Sequence, residues 1–145
     1  MAELLLSWRF WALLSATFAA LTAILTKVGV TGVDSAVATF VRTLVILALA
    51  GAIMAGAGQS GGLARIPGRS LVFLVLSGLA TGASWLCYVR ALSLGDAARV
   101  APLDKLSVVL VAGLAALFLG ERLSPAGWLG VALIAAGSAL VAWRA

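Results

Sequence analysis

Five ionisable side chains stand inside or at the edges of apolar runs: Lys27, Arg42, Arg90, Asp104 and Lys105. A charge at mid-membrane depth costs about 2.5–3.5 kcal/mol on insertion scales, so each of them needs a partner, water or a ligand. Four are bases and one is an acid, a surplus of three positive charges. That surplus suits an anion, or a zwitterion bearing a carboxylate, better than a cation. Ionisable residues within membrane spans are functional candidates by default, and ion pairs that merely hold helices together are the alternative. Lys27 and Arg90 lie close enough to span ends to snorkel.

Other chemistries are poorly supplied. Histidine is absent, which removes Ser/His and Cys/His catalysis and His-ligated zinc. Asp96 and Asp104 are eight residues apart, and Asp96 reads as a loop residue or N-cap, so no paired acids sit at helical spacing. An enzyme, a metal site and a cofactor are therefore not expected. Cys87 is the single cysteine; inside an apolar run it reads as a small buried hydrophobe rather than a reactive thiol. The basic residues are scattered without aromatic interleaving, unlike a nucleic-acid surface.

The elements that must position these charges are membrane helices. Of 145 residues 63% are hydrophobic and 10% charged, with mean hydropathy +1.18, whereas soluble domains are about one-quarter charged. A spanning helix needs roughly 20 apolar residues, and five runs qualify: 9–30, 34–57, 70–92, 98–119 and 124–143. Asp34 or Ser35 is placed to cap the second, and Ser124 before Pro125 to start the fifth. The stretch "MAELLLSW" lacks the basic region of a signal peptide, and the run after it is long enough to span. The alternation of a β-barrel is missing.

An odd number of spans puts the ends of the chain on opposite sides. The N-terminal side receives Arg9, Arg65, Arg69 and Arg122; the other receives Arg99 and Arg144, with Lys27 and Arg90 close by. The positive-inside rule meets an almost even balance, tilting to a cytoplasmic N-terminal side only if the two deeper bases are discounted. From a rise of about 1.5 Å per residue, Arg42 lies roughly 12 Å and Asp104 roughly 10 Å from the second side. All five intramembrane charges fall in that half, where they can pair or line a watered vestibule.

Adjacent helical residues point about 100° apart, so Asp104 is expected to meet Arg42, Arg90 or Lys27 on another helix rather than Lys105. Gly78 and Gly82, and Ala135 with Ala139, have the small-residue spacing of packed membrane helices. Ser15, Ala19, Thr22 and Thr26 share a face of the first span, as a packing stripe or the polar wall of a cavity.

These features together resemble the EamA-type domain of the drug/metabolite transporter superfamily, in a short, single-domain form spanning the chain, 1–145. The likeness is most specific in "YVRALSLGDAARVAPLDKLSVVLVAGLAALFLGERLSP", with its Arg-Ala-Leu (Arg90–Leu92), Ala-Pro-Leu (Ala101–Leu103) and Leu-Gly-Glu (Leu119–Glu121) landmarks. In the first half, "ALTAILTKVGV" and "ATFVRTLV" carry the lysine ending helix one and the arginine of helix two. Where many two-domain members have a Trp-Gly pair in helix one, this chain has Ala19 and Ala20. The related small multidrug resistance proteins have four spans and a glutamate in the first; here no acid stands in the first span.

The resemblance implies an all-α integral membrane fold whose five transmembrane helices form one half of a ten-helix inverted-repeat transporter. The whole would be rebuilt by an antiparallel homodimer or a second half-transporter chain. The expected function is secondary transport of a small polar metabolite, an amino acid or organic anion, across the cytoplasmic (inner) membrane. Lys27, Arg42, Arg90 and Lys105 would attract its negative groups, and Asp104 would be counter-charge and coupling group. Thr22, Ser84, Trp85 and Tyr88 would add hydrogen bonds or an aromatic wall. The alternative is a non-transporting scaffold or accessory subunit in the lipid bilayer, its charges purely structural.

Overall fold

Long apolar runs leave a helix as the only way to satisfy backbone amides in lipid, and helices are what form. The structure, a computed structural model, describes residues 7–144. Its helices are α1 (Trp8–Gly29), α2 (Ser35–Gly56), α3 (Gly68–Leu94), α4 (Ala97–Asp104), α5 (Ser107–Leu114) and α6 (Pro125–Arg144). A 3₁₀ segment, Ser60–Arg65, lies between α2 and α3, and a π-turn, Ala115–Leu119, extends α5. No strand occurs among the described residues. Five stretches are long and apolar enough to cross a membrane, the fourth being α4, α5 and the π-turn together, Ala97–Leu119.

Local chemistry sets the ends. Asp34 in extended conformation accepts from the Ala36 amide at 2.8 Å and caps α2. Ser124 Oγ accepts from the Gly127 amide at 3.1 Å and caps α6, with Pro125 in the first turn as its fixed φ favours. At the far end of α2, Gln59 N–H donates to Met54 C=O and Gly58 N–H to Ala55 C=O, both at 3.0 Å. This Schellman pair requires the left-handed backbone of Gly58, φ +66°. The π-turn closes in the same way one residue wider, with Gly120 at φ +68° and Glu121 N–H donating to Ala115 C=O at 3.2 Å. The glycine of the Leu-Gly-Glu landmark is thus required by the backbone.

The fourth span is not the single helix expected over 98–119. Pro102, inside α4, has no N–H to donate. Three residues on, Lys105 N–H is shared between the Ala101 and Pro102 carbonyls (3.3 and 3.1 Å). Leu106, Val108 and Val109 then each donate three residues back, a tight 3₁₀ turn separating α4 from α5.

The chain divides into two compact units. The first comprises the residues up to Lys27 and from Leu94 onward; the second is Val28–Ser93. In the first, α6 packs along both α4 and α5. In the second, the polar groups within α2 and α3 turn to their own backbones: Thr39 to Ser35 C=O (2.7 Å), Thr43 to Thr39 C=O (2.8 Å), Thr81 to Ser77 C=O (2.9 Å).

A Cβ built on Gly78 or Gly82 meets nothing within 4 Å among the described residues, which leaves the GxxxG face of α3 open there. Cys87 is exposed, not buried; a helix in lipid can turn apolar side chains outward, so apolar surroundings in sequence do not imply burial.

Candidate functional site

The first unit carries Lys27, Asp104 and Lys105. Lys27, in the last turn of α1, is half-buried, and its Nζ donates to Gly95 C=O at 2.8 Å. That carbonyl precedes Asp96, the N-cap of α4. Asp104 ends α4 and Lys105 begins the break; Lys105 Nζ lies 3.6 Å from an Asp104 carboxylate oxygen. The expectation that Asp104 would meet a base on another helix is therefore corrected: its ion-pair partner is its own neighbour. The 100° between successive Cβ atoms does not constrain the tip of a four-carbon stem. The pair is loose, the Lys105 side chain 54% and the Asp104 side chain 36% exposed. Thr22 is half-buried; along its stripe Thr26 is buried while Ser15 and Ala19 are exposed.

The second unit carries Arg42, Arg90, Ser84, Trp85 and Tyr88. Arg42, in the third turn of α2, places its guanidinium carbon 5.4 Å from the ring centre of Trp85 on α3, within cation–π range. Its Nη1 is buried and has no hydrogen-bond partner among the described residues. The sole acid in Val28–Ser93 is Asp34, one oxygen of which accepts from the Ala36 amide, about 12 Å along α2 from Arg42. Trp85 and Tyr88 are half-buried, Ser84 exposed; spacings of three and four put them on one face of α3. Arg90 is exposed.

One residue escaped the sequence reading. Arg99 was placed among the boundary anchors, yet its Nε is buried without a partner among the described residues. It stands in the first turn of α4, just outside the apolar run, where an anchoring arginine and a buried one look alike in sequence.

A hollow of the second unit lies elsewhere. About 600 Å³ is lined by Met54, Gly58, Gln59, Leu63, Arg65 and neighbours, at the opposite end of α2 from Arg42. It is a shallow depression beside a loop and holds none of the expected site residues. Arg42 and Trp85 stand apart from it.

The sequence pattern of the EamA-like transporter family matches residues 6–143. A Sinorhizobium protein named "Uncharacterized transporter in cobO 3'region" is 64% identical over 136 residues, 94% of this chain and 96% of that protein. No solved structure matches the chain.

Proposed function

Because the chain belongs to the EamA-like transporter family, and is thus a multi-pass membrane transporter, we propose that it is a secondary transporter of a small polar metabolite, an amino acid or organic anion, in the cytoplasmic membrane. The observation that carries this reading is Arg42: a cation inside a membrane span whose buried Nη1 has no hydrogen-bond partner among the described residues, with Asp34 at the start of α2 the one acid of its unit. Uncompensated charge there is costly unless a ligand arrives to meet it. Arg42, Arg90 and Lys105 attract the substrate's negative groups, with Lys27 adding charge from its tie to Gly95. Asp104 is the counter-charge and the protonatable coupling group. Thr22, Ser84, Trp85 and Tyr88 supply polar contacts and an aromatic wall.

The working form is an antiparallel dimer, or this chain with a second half-transporter, which rebuilds the inverted repeat common among transporters. The open GxxxG face of α3 supports a further helix–helix contact of that kind.

Counterflow in proteoliposomes across a panel of amino acids and organic acids tests the proposal. At least one solute exchanges in the wild type, and flux falls in Asp104→Asn and Arg42→Gln proteins that remain folded. The loose Asp104–Lys105 pair favours a second reading, a scaffold whose charges are structural. Folded variants that keep full flux, or a folded wild type that exchanges nothing, would favour the scaffold.

A further inference from the structure

We propose that Arg42 and Trp85 form a prebuilt carboxylate subsite, and that its ligand is a small organic carboxylate without an ammonium group. The proposal rests on the transport reading above and narrows it.

The geometry of the pair leaves Arg42 Nη1 without a protein hydrogen bond among the described residues. A guanidinium is planar and donates within its plane. Held at 5.4 Å from the Trp85 ring centre, the Arg42 head group is oriented by contact with an aromatic ring that accepts no hydrogen bond in that plane. Its Nη1 is enclosed and has no hydrogen-bond partner among the described residues, so a carboxylate that reaches it moves neighbouring side chains aside but breaks no protein hydrogen bond there. Arginine and carboxylate pair bidentately, with two parallel N–H···O bonds, and the ring contact limits the rotamer freedom that such a pair would otherwise have to freeze.

The charge balance selects among anions. An amino acid brings an ammonium group close to its carboxylate, and that group needs an acid of its own. In Val28–Ser93 the sole acid is Asp34, which caps the start of α2 about 12 Å along the helix from Arg42. A second cation beside Arg42 would therefore meet like charge in a medium that screens poorly. A carboxylate alone neutralises Arg42 and asks for nothing further.

The test uses three probes on the full chain in detergent micelles and in proteoliposomes: butyrate, its amide butyramide, and 2-aminobutyrate, which differs from butyrate by the added ammonium group. Binding is read by tryptophan fluorescence and by the ligand-induced rise in melting temperature. Butyrate binds, and butyramide and 2-aminobutyrate bind at least about tenfold more weakly, a tenfold step being 1.4 kcal/mol. Arg42→Gln loses butyrate binding, and Arg42→Lys weakens it about tenfold because an ammonium cannot form the two-pronged bond. Trp85→Phe keeps part of the affinity and loses most of the fluorescence response.

Several results overturn the proposal: no butyrate binding by folded wild type, unchanged binding by folded Arg42→Gln, or 2-aminobutyrate binding as tightly as butyrate. If Arg42→Gln fails to fold, the Arg42→Lys and Trp85→Phe proteins decide by the same measures. Counterflow separates this from the wider reading. Flux that needs Asp104 but not Arg42 leaves transport standing and sinks the subsite; Arg42-dependent binding without flux of any probe does the reverse.

Discussion

The two units both place cations beside apolar helices, and they dispose of them differently. In the first, Lys27 is tied to the Gly95 carbonyl and Lys105 reaches the Asp104 carboxylate, while Arg99 keeps a buried Nε without a partner among the described residues. In the second, Arg42 has a ring to lean on and no acid to meet, and Arg90 is exposed. A charge satisfied by its own protein contributes to fold and conformational balance. A charge left short of a partner inside a membrane span is a candidate for meeting something that comes and goes. On the proposed reading, holding falls to the second unit and coupling to the first.

The largest expected effect tests the holding side. Arg42→Gln should abolish butyrate binding, by about a hundredfold or more, the upper scale for losing a charge-assisted bidentate contact of roughly 3 kcal/mol. Melting should stay near the wild-type temperature, because the guanidinium has no protein hydrogen bond at Nη1 to lose. On the coupling side, Asp104→Asn should reduce counterflow roughly tenfold, equivalent to 1.4 kcal/mol, while butyrate affinity stays within about twofold. A matching loss of affinity would erase the distinction between the units.

Lys27→Met should act oppositely to Arg42→Gln. Removing a charged donor from the part-buried Gly95 carbonyl costs about 1.5–3 kcal/mol of stability, read by thermal or denaturant unfolding in micelles. Butyrate affinity should fall only slightly in the fraction that folds, since Lys27 contributes charge to the substrate and no direct contact. The smallest effect belongs to the caps: Asp34→Ala and Ser124→Ala should each cost about 1 kcal/mol. Asp34→Ala is also informative for binding, since unchanged butyrate affinity shows that Asp34 does not serve as the counter-ion of Arg42.

Much of the helical plan is readable from residue order. The five apolar helices begin and end within two residues of the bounds inferred from hydropathy, because apolar length and polar punctuation are both local properties. The caps at Asp34 and Ser124 are equally local, depending on side chains within three positions of the amides they accept from. The fourth span shows the boundary of that legibility. Pro102 announces a lost hydrogen bond, yet where the ladder tightens, at Lys105 and Leu106, depends on which carbonyls the following amides choose. Arg99 shows it again: nothing in the order of residues separates a snorkelling arginine from one whose Nε is enclosed.

By itself, then, the sequence determined that this chain is membrane-embedded, where its helices run, and that its intramembrane charges are mostly positive. These follow from transfer free energy and backbone satisfaction, which act along the chain. Only the tertiary structure decided that Arg42 meets Trp85 rather than an acid, that Asp104 meets Lys105, and that Lys27 is held by a carbonyl 68 residues away. These three outcomes depend on helix placement or side-chain reach, and none of them is written in the spacing of residues along one helix.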